Sequence, residues 1–256
     1  MVTRDKLHIL VPASEVQKNG AVYRRVGNAS SLQKRLHGYE EILNHFFDLT
    51  YAIAPDDLIN RTVIQPLGLA DSGPFDYFRR GLAERYGWGK NGNVVQPDGV
   101  FVSHDCAIAV EMKLGAKSSD NQILKYAALL TWEEIYSGPK QEVGLLYIVP
   151  ELDLPQHWDR CGLTGPKINT EILSRTMKRK LNPTILALIE QHPDLFHSTL
   201  TRMKLHVISW TMFRESLVAA RHGLDLTKRG DQTLSRLLQG ILAQLAVHEG
   251  TGLLQT

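Results

Sequence analysis

Twenty consecutive residues near the middle of the chain, VVQPDGVFVSHDCAIAVEMK, leave few folds open. Two runs rich in β-branched and apolar residues, 94–102 and 107–113, flank the polar tetrapeptide SHDC. The pattern predicts an antiparallel hairpin. With His104 and Asp105 as the two turn residues, Val102 faces Ala107 and Asp98 faces Glu111. Side chains alternate along a strand, so Asp98, Val100, Val102, Ala107, Ala109, Glu111 and Lys113 share one face. Phe101, Ile108, Val110 and Met112 take the other, which reads as the core face, leaving the first face to solvent.

Around this hairpin the periodicity alternates between helix and strand. Leu32, Leu36, Tyr39, Leu43 and Phe46 predict a helix over 31–49, and Leu7–Val11 a short strand before it. A strand is expected near Thr62–Gln65 and a short helix from Phe75 to Tyr86, ended by Gly87. A helix over 119–136 precedes an apolar strand, Val143–Val149. Beyond it come a helix from Ile168 to Gln191 interrupted at Pro183, a strand Leu205–Trp210, and helices over Met212–Arg221 and Gln232–His248. This order predicts an α/β fold, a central mixed sheet flanked by helices with a helix-rich C-terminal elaboration. The domain division expected is a core over 1–150, with an N-terminal extension, and an appendage over 151–256 packed on it.

Composition removes several function classes. The two cysteines, Cys106 and Cys161, form no metal-binding pattern, which argues against structural zinc or an iron–sulfur cluster and suits a reducing compartment. None of the ten histidines pairs at i, i+4 beside an acid, and no phosphate-binding GxxxxGK[ST] motif is present. No stretch reaches the ~18 apolar residues of a membrane span, and the N-terminus lacks the apolar core of a signal peptide, so a cytoplasmic protein is expected. The net charge of +2 is too small to identify a polyanionic partner. Five basic residues and one acid between Lys167 and Lys180 make Arg175, Lys178 and Arg179 candidate phosphate contacts, or simply a solvated helix face.

The opposed pair carries the chemistry. Facing residues hold their Cβ atoms about 4.5–5.5 Å apart, so Asp98 and Glu111 repel unless a cation lies between them. A hard divalent ion with oxygen ligands suits that place and activates water. Lys113, two residues beyond Glu111 on the same face, is placed to hold the water and offset charge on a phosphorane.

Pro97-Asp98 followed by Glu111-Met112-Lys113 resembles the PD-(D/E)xK motif of the restriction-endonuclease-like nuclease superfamily. Gln122-Ile-Leu-Lys-Tyr126, on the helix after the Glu-x-Lys strand, resembles the QxxxY motif of its RecB-type and lambda-exonuclease-type branches. The resemblance spans roughly residues 31–150 and implies an α-β-β-β-α-β core, whose first meander strand the sequence does not place. It implies that Asp98, Glu111 and the Met112 backbone carbonyl hold Mg²⁺, with Mn²⁺ as a substitute, and that Lys113 is the catalytic lysine. Gln122 and Tyr126 would then lie beside the active site and the substrate strand; otherwise Gln122 closes a capping box begun by Ser119 and Tyr126 edges the core. Many members add an acid from the first core helix. Glu40, beside the stripe of Leu36, Leu43 and Phe47, is a better choice than Glu41, which groups with His37, Asn44, His45 and Asp48.

Lys117 and Lys125 are candidate phosphate contacts or solubilising charges, and Trp88 or Trp158 could stack on a base or simply pack. The expected activity is Mg²⁺-dependent hydrolysis of phosphodiesters, most of all in DNA, with a homodimer or a larger repair or defence assembly as the candidate assembly. The alternatives are a non-cleaving nucleic-acid-binding or scaffold protein and, among enzymes, a dimeric restriction-type endonuclease.

Overall fold

The structure, a computed structural model, describes residues 42–88, 94–114, 120–168 and 181–246. At its centre is the expected hairpin, β2 (Gly99–Val102) and β3 (Cys106–Met112). Val102 pairs with Ala107 and Gly99 with Val110, and the Ser103 N–H donates to the Cys106 carbonyl at 2.8 Å. That register makes a two-residue turn of His104 and Asp105, as predicted.

The burial differs from the expectation. Both faces of the hairpin are enclosed: Val100, Val102, Ala107 and Ala109 pack into one core, while Phe101, Ile108, Val110 and Met112 pack into another. The cover on the first face is the long helix that follows β3. Numbering helices in chain order, these are α1 (residues 42–51), α2 (Asp56–Ile59), α3 (Leu82–Arg85) and α4 (Asp120–Ser137). Four consecutive α4 residues, Ala127 to Leu130, are fully buried, and the two alanines allow the helix to lie close on the sheet.

The sheet has five strands in the order β1-β2-β3-β4-β5. Here β1 is Asp76–Phe78, β4 is Glu142–Val149 and β5 is Lys204–Ser209. β1 and β3 flank β2 antiparallel, whereas β4 and β5 continue from β3 in parallel. β5, from beyond residue 150, is therefore an edge of the same sheet. Among the described residues the remaining α-helices are α5 (His157–Arg160), α6 (Pro183–Gln191), α7 (Pro193–Arg202), α8 (Trp210–His222) and α9 (Arg229–Ala246). α6 and α7 pack against α4 on one face through Ile185, Leu188, Phe196 and Leu200. On the other face lie α1, α8 and α9, through Phe47, Tyr51, Phe213, Leu217, Leu238 and Ile241. The molecule is thus an α/β fold with a mixed sheet between helical layers.

Three local expectations are corrected. Phe75–Tyr86, read as one helix, divides into β1 and α3, because edge pairing of Asp76–Phe78 on β2 prevails over a helical spacing of apolar residues. This β1 is the meander strand that the sequence left unplaced. Thr62–Gln65, read as a strand, runs from a π-helical turn, Asn60–Ile64, that continues α2 into a 3-10 turn, Gln65–Leu67. The Thr62 hydroxyl donates to the Leu58 carbonyl at 2.7 Å, and Val63 and Ile64 are buried, so tertiary packing decides against β propensity. Pro183 starts a separate helix after a non-helical Asn182: it occupies the first turn of α6, with the Asn182 side chain accepting from the Thr184 N–H at 2.9 Å, while residues 169–180 of the expected helix lie outside the described residues. Leu7–Val11 and the first part of the 31–49 helix lie outside the described residues. No described helix is long and apolar enough to cross a membrane.

Candidate active site

The open end of the hairpin, opposite its turn, brings the acidic residues together. Asp98 immediately precedes β2, and its N–H donates to the Val110 carbonyl at 3.1 Å, continuing the ladder. Its Oδ2 accepts the Met112 N–H at 2.7 Å. The side chain thus takes the place a strand carbonyl would have, which fixes the carboxylate against the last residue of β3.

Glu111 lies on β3 and is 6 % exposed. Two α4 side chains one turn apart reach its two oxygens: Gln122 Nε2 donates to Oε1 at 2.9 Å, and the Tyr126 hydroxyl donates to Oε2. Lys113 forms an ion pair with Oε1. The Lys113 backbone is pinned from two sides, its N–H donating to the Ile148 carbonyl and its carbonyl accepting from Trp210 Nε1, both at 2.8 Å. β4 and α8 therefore fix the residue from which the ammonium extends.

Asp98, Glu111, Met112 and Lys113 line a cleft of about 250 Å³ with Asn44, Arg79, Gln96 and Trp210. Burial, and then the charge of Glu111, push the Asp98 carboxyl up to about 8, against the Met112 N–H, Lys113 and Arg79, which favour its ionised form. Burial and the Glu111 and Asp98 charges hold Tyr126 protonated, so it acts as a donor. Beneath the site, His157 is pushed down to about 4 by burial and by Arg160. It is a neutral ring against Tyr147 and Cys161.

Of the residues singled out in the sequence, the fold brings Asp98, Glu111, Met112, Lys113, Gln122 and Tyr126 to one place. Lys125 is half-buried on α4 and does not line the cleft. Trp88 is buried against Tyr86 and Trp132, and Trp158 packs on Tyr147 and His157, so both serve as packing. Glu40, Lys117, Arg175, Lys178 and Arg179 lie outside the described residues. Among those described, no three His, Cys, Asp or Glu side chains converge as a metal group.

Asn44, Arg79 and Gln96 are cleft residues that the sequence reading missed as site residues. Gln96 stands two positions before Asp98, the spacing of same-side residues in extended chain, which was a usable signal. Asn44 belonged to the α1 face read as solvated. Arg79 carried no signal, because it follows a strand that was read as helix. Its Nη1 donates to Asp48 Oδ2 at 3.0 Å, while the Tyr77 hydroxyl donates to Asp48 Oδ1 at 2.5 Å.

Comparison of the chain with protein-family models, curated proteins and solved structures gives no match, so the functional reading rests on this geometry.

Proposed function

We propose that the protein is a metal-dependent nuclease that hydrolyses phosphodiester bonds, foremost in DNA. The observation that carries this reading is the joint placement of Asp98, Glu111 and Lys113 in one cleft, with Gln122 and Tyr126 on the following helix holding Glu111. A wet-faced hairpin with ordinary surface charges would not bury a glutamate under two neutral donors and a lysine.

The residues fit a hard divalent cation. The carboxylates lining the cleft are Asp98 and Glu111, the amides are Asn44 and Gln96, and neither thiol nor imidazole lines it. Burial first, and then the neighbouring Glu111 charge, raise the Asp98 carboxyl, and a cation between the two would offset both. Asp98, Glu111 and the Met112 carbonyl would hold the ion. When bound, Mg²⁺ supplies Lewis acidity toward a phosphoryl oxygen and makes water more acidic.

The chain supplies the rest. The Met112 N–H keeps the Asp98 carboxylate in the cleft. Gln122 and Tyr126 hold the two oxygens of Glu111 and so fix its carboxylate at the wall of the cleft. The Lys113 ammonium orients the attacking water and offsets negative charge on the five-coordinate phosphorus. α4 and the sheet close the back of the site, so these charges act in a medium less screening than bulk water.

The test is direct. Labelled linear DNA, circular DNA and RNA are incubated with the wild type and Asp98→Asn in Mg²⁺ and in chelator. Mg²⁺-dependent cleavage by the wild type alone supports the reading. Absence of cleavage on every substrate, by a protein that binds them, overturns it in favour of a non-cleaving module.

A further inference from the structure

Arg79 is paired in a way that a purely structural arginine is not. Its side chain is only 10 % exposed, yet among the described residues its enclosed Nε has no hydrogen-bond partner. Asp48 accepts the Tyr77 hydroxyl on one oxygen and Arg79 Nη1 on the other, and it does not engage Nε. The guanidinium is a rigid fork suited to bidentate binding of carboxylate or phosphate, and here one edge of the fork is unused. An enclosed donor without an acceptor disfavours this resting pose, so a small rotation toward an anion would be readily repaid.

Its place relative to the proposed reaction centre is set by the sheet. Phe78 pairs with Val100, so one residue further Arg79 comes level with Gly99, next to Asp98. Glu111 lies on β3 and Lys113 one residue past its end, on the other side of β2 from Arg79, and strands two apart are separated by about 10 Å. Arg79 exerts its charge on Asp98 without hydrogen-bonding to it. Across the end of the sheet the order is thus the Arg79 guanidinium, the Asp98 and Glu111 carboxyls, and the Lys113 ammonium. The amides of Asn44 and Gln96 line the same cleft and add neutral donors.

We infer that Arg79, with Asn44 and Gln96, forms a second subsite that binds a phosphate group of the nucleic-acid strand adjacent to the phosphate held at Asp98, Glu111 and Lys113. The inference rests on the nuclease reading for the identity of the strand but not for the existence of the anion site. The phosphate could be an internal diester or a terminal monoester, and the two share this recognition chemistry.

The experiment measures binding rather than turnover. Short fluorescein-labelled single strands, bearing a phosphate at one end, at the other end, or at neither, are titrated in chelator against wild type, Arg79→Lys and Arg79→Ala. Thermal unfolding with and without inorganic phosphate is followed for each protein. Loss of the bidentate fork in Arg79→Lys should weaken binding roughly ten- to a hundred-fold. In Arg79→Ala the salt slope of binding should also fall by about 0.7, one phosphate contact on a single strand. Inorganic phosphate should raise the melting temperature of the wild type and not of Arg79→Lys. Equal weakening on all three strands assigns an internal diester, and weakening confined to one phosphorylated end assigns a monoester. Wild-type affinity in both variants with an unchanged salt slope, or a phosphate-induced melting shift that survives in Arg79→Lys, overturns the subsite. If the wild type binds strands through Arg79 and cuts none of them in Mg²⁺, the nuclease reading fails and the anion site stands.

Discussion

The Tyr126 hydroxyl on α4 donates to Oε2 of Glu111 on β3, joining the crossover helix to a buried carboxylate of the cleft. Because Tyr126 is 2 % exposed, no water stands ready to replace it. Tyr126→Phe should therefore leave a buried carboxylate oxygen short of a donor and destabilise the protein by about 1–3 kcal/mol. Cleavage should fall with it. Denaturant unfolding and a cleavage assay measure the two; a variant equal to the wild type in both would show that the hydroxyl does not hold Glu111.

Lys113→Ala should remove cleavage by about 10²–10³-fold or more while leaving binding of DNA in chelator largely in place, since its ammonium acts on water and on the transition state. The site should survive the change, because Gln122 and Tyr126 still reach both Glu111 oxygens. Single-turnover cleavage and anisotropy separate the two effects. Undiminished cleavage would remove Lys113 from the mechanism.

Asp98 makes stability depend on pH with a sign opposite to that of most carboxylates. Its carboxyl titrates at about 8 in the fold, against an unfolded value near 4. Below pH ~4 both states hold the proton and nothing is lost. Between ~4 and ~8 the unfolded chain releases it first, so stability falls as pH rises, and above ~8 the full penalty applies. Asp98→Asn should flatten this slope and melt higher than the wild type at pH ~8 in chelator, by about 2–4 °C for each kcal/mol recovered. Millimolar Mg²⁺ should raise the melting temperature of the wild type but not of the variant. If the variant melts lower in chelator and the wild type ignores Mg²⁺, the two carboxylates share no cation.

A second buried carboxylate shows the opposite behaviour. Glu133 on α4 accepts from Arg85 Nε at 2.9 Å, Arg85 Nη2 at 2.8 Å and the Tyr86 hydroxyl at 2.7 Å. Burial alone pushes its carboxyl up, but the Arg85 and Tyr86 donors outweigh it and hold it below its ordinary value. Stability from this cluster is present above pH ~4 and is lost as pH falls through the lowered value. Arg85 also lies between the rings of Phe78 and Tyr136, 4.4 and 4.3 Å from their centroids. Arg85→Ala should cost about 3–5 kcal/mol by leaving a buried charge unpaired. Adding Glu133→Gln should recover part of it. Equal losses in the single and double variants would show that the cost lies in packing rather than in charge.

How far the sequence could be read follows from how local each feature is. The β2–β3 register was legible because a two-residue turn and strict alternation leave one solution once Asp98 and Glu111 are set opposite. Gln122 and Tyr126 were legible by their four-residue spacing. Their actual partner was not, since nothing local says that α4 folds back over the face of β3. For the same reason the face of Val100, Ala107 and Ala109 read as wet: small residues on a strand look solvent-facing until a helix rests on them. β1 was hidden by its length of three residues, too short for any period, and with it went Arg79. Thr62, Val63 and Ile64 misled in the other direction, as β-branched residues bent into a π turn by the core around Tyr51 and Leu58.

The five strands lie side by side in the order in which the ribosome makes them. Each new strand can dock on a finished edge, and no earlier pairing need be undone to admit it. The grip on Glu111 closes early in that sequence, because Tyr126 follows it by only 15 residues. The bond from Trp210 to the Lys113 carbonyl spans 97 residues and can form only when α8 arrives. A nascent chain released before Trp210 would hold its acidic pair and the donors of α4, yet leave Lys113 tethered on one side alone. Completion of the cleft is thus deferred until the last strand and the helix after it have been laid down.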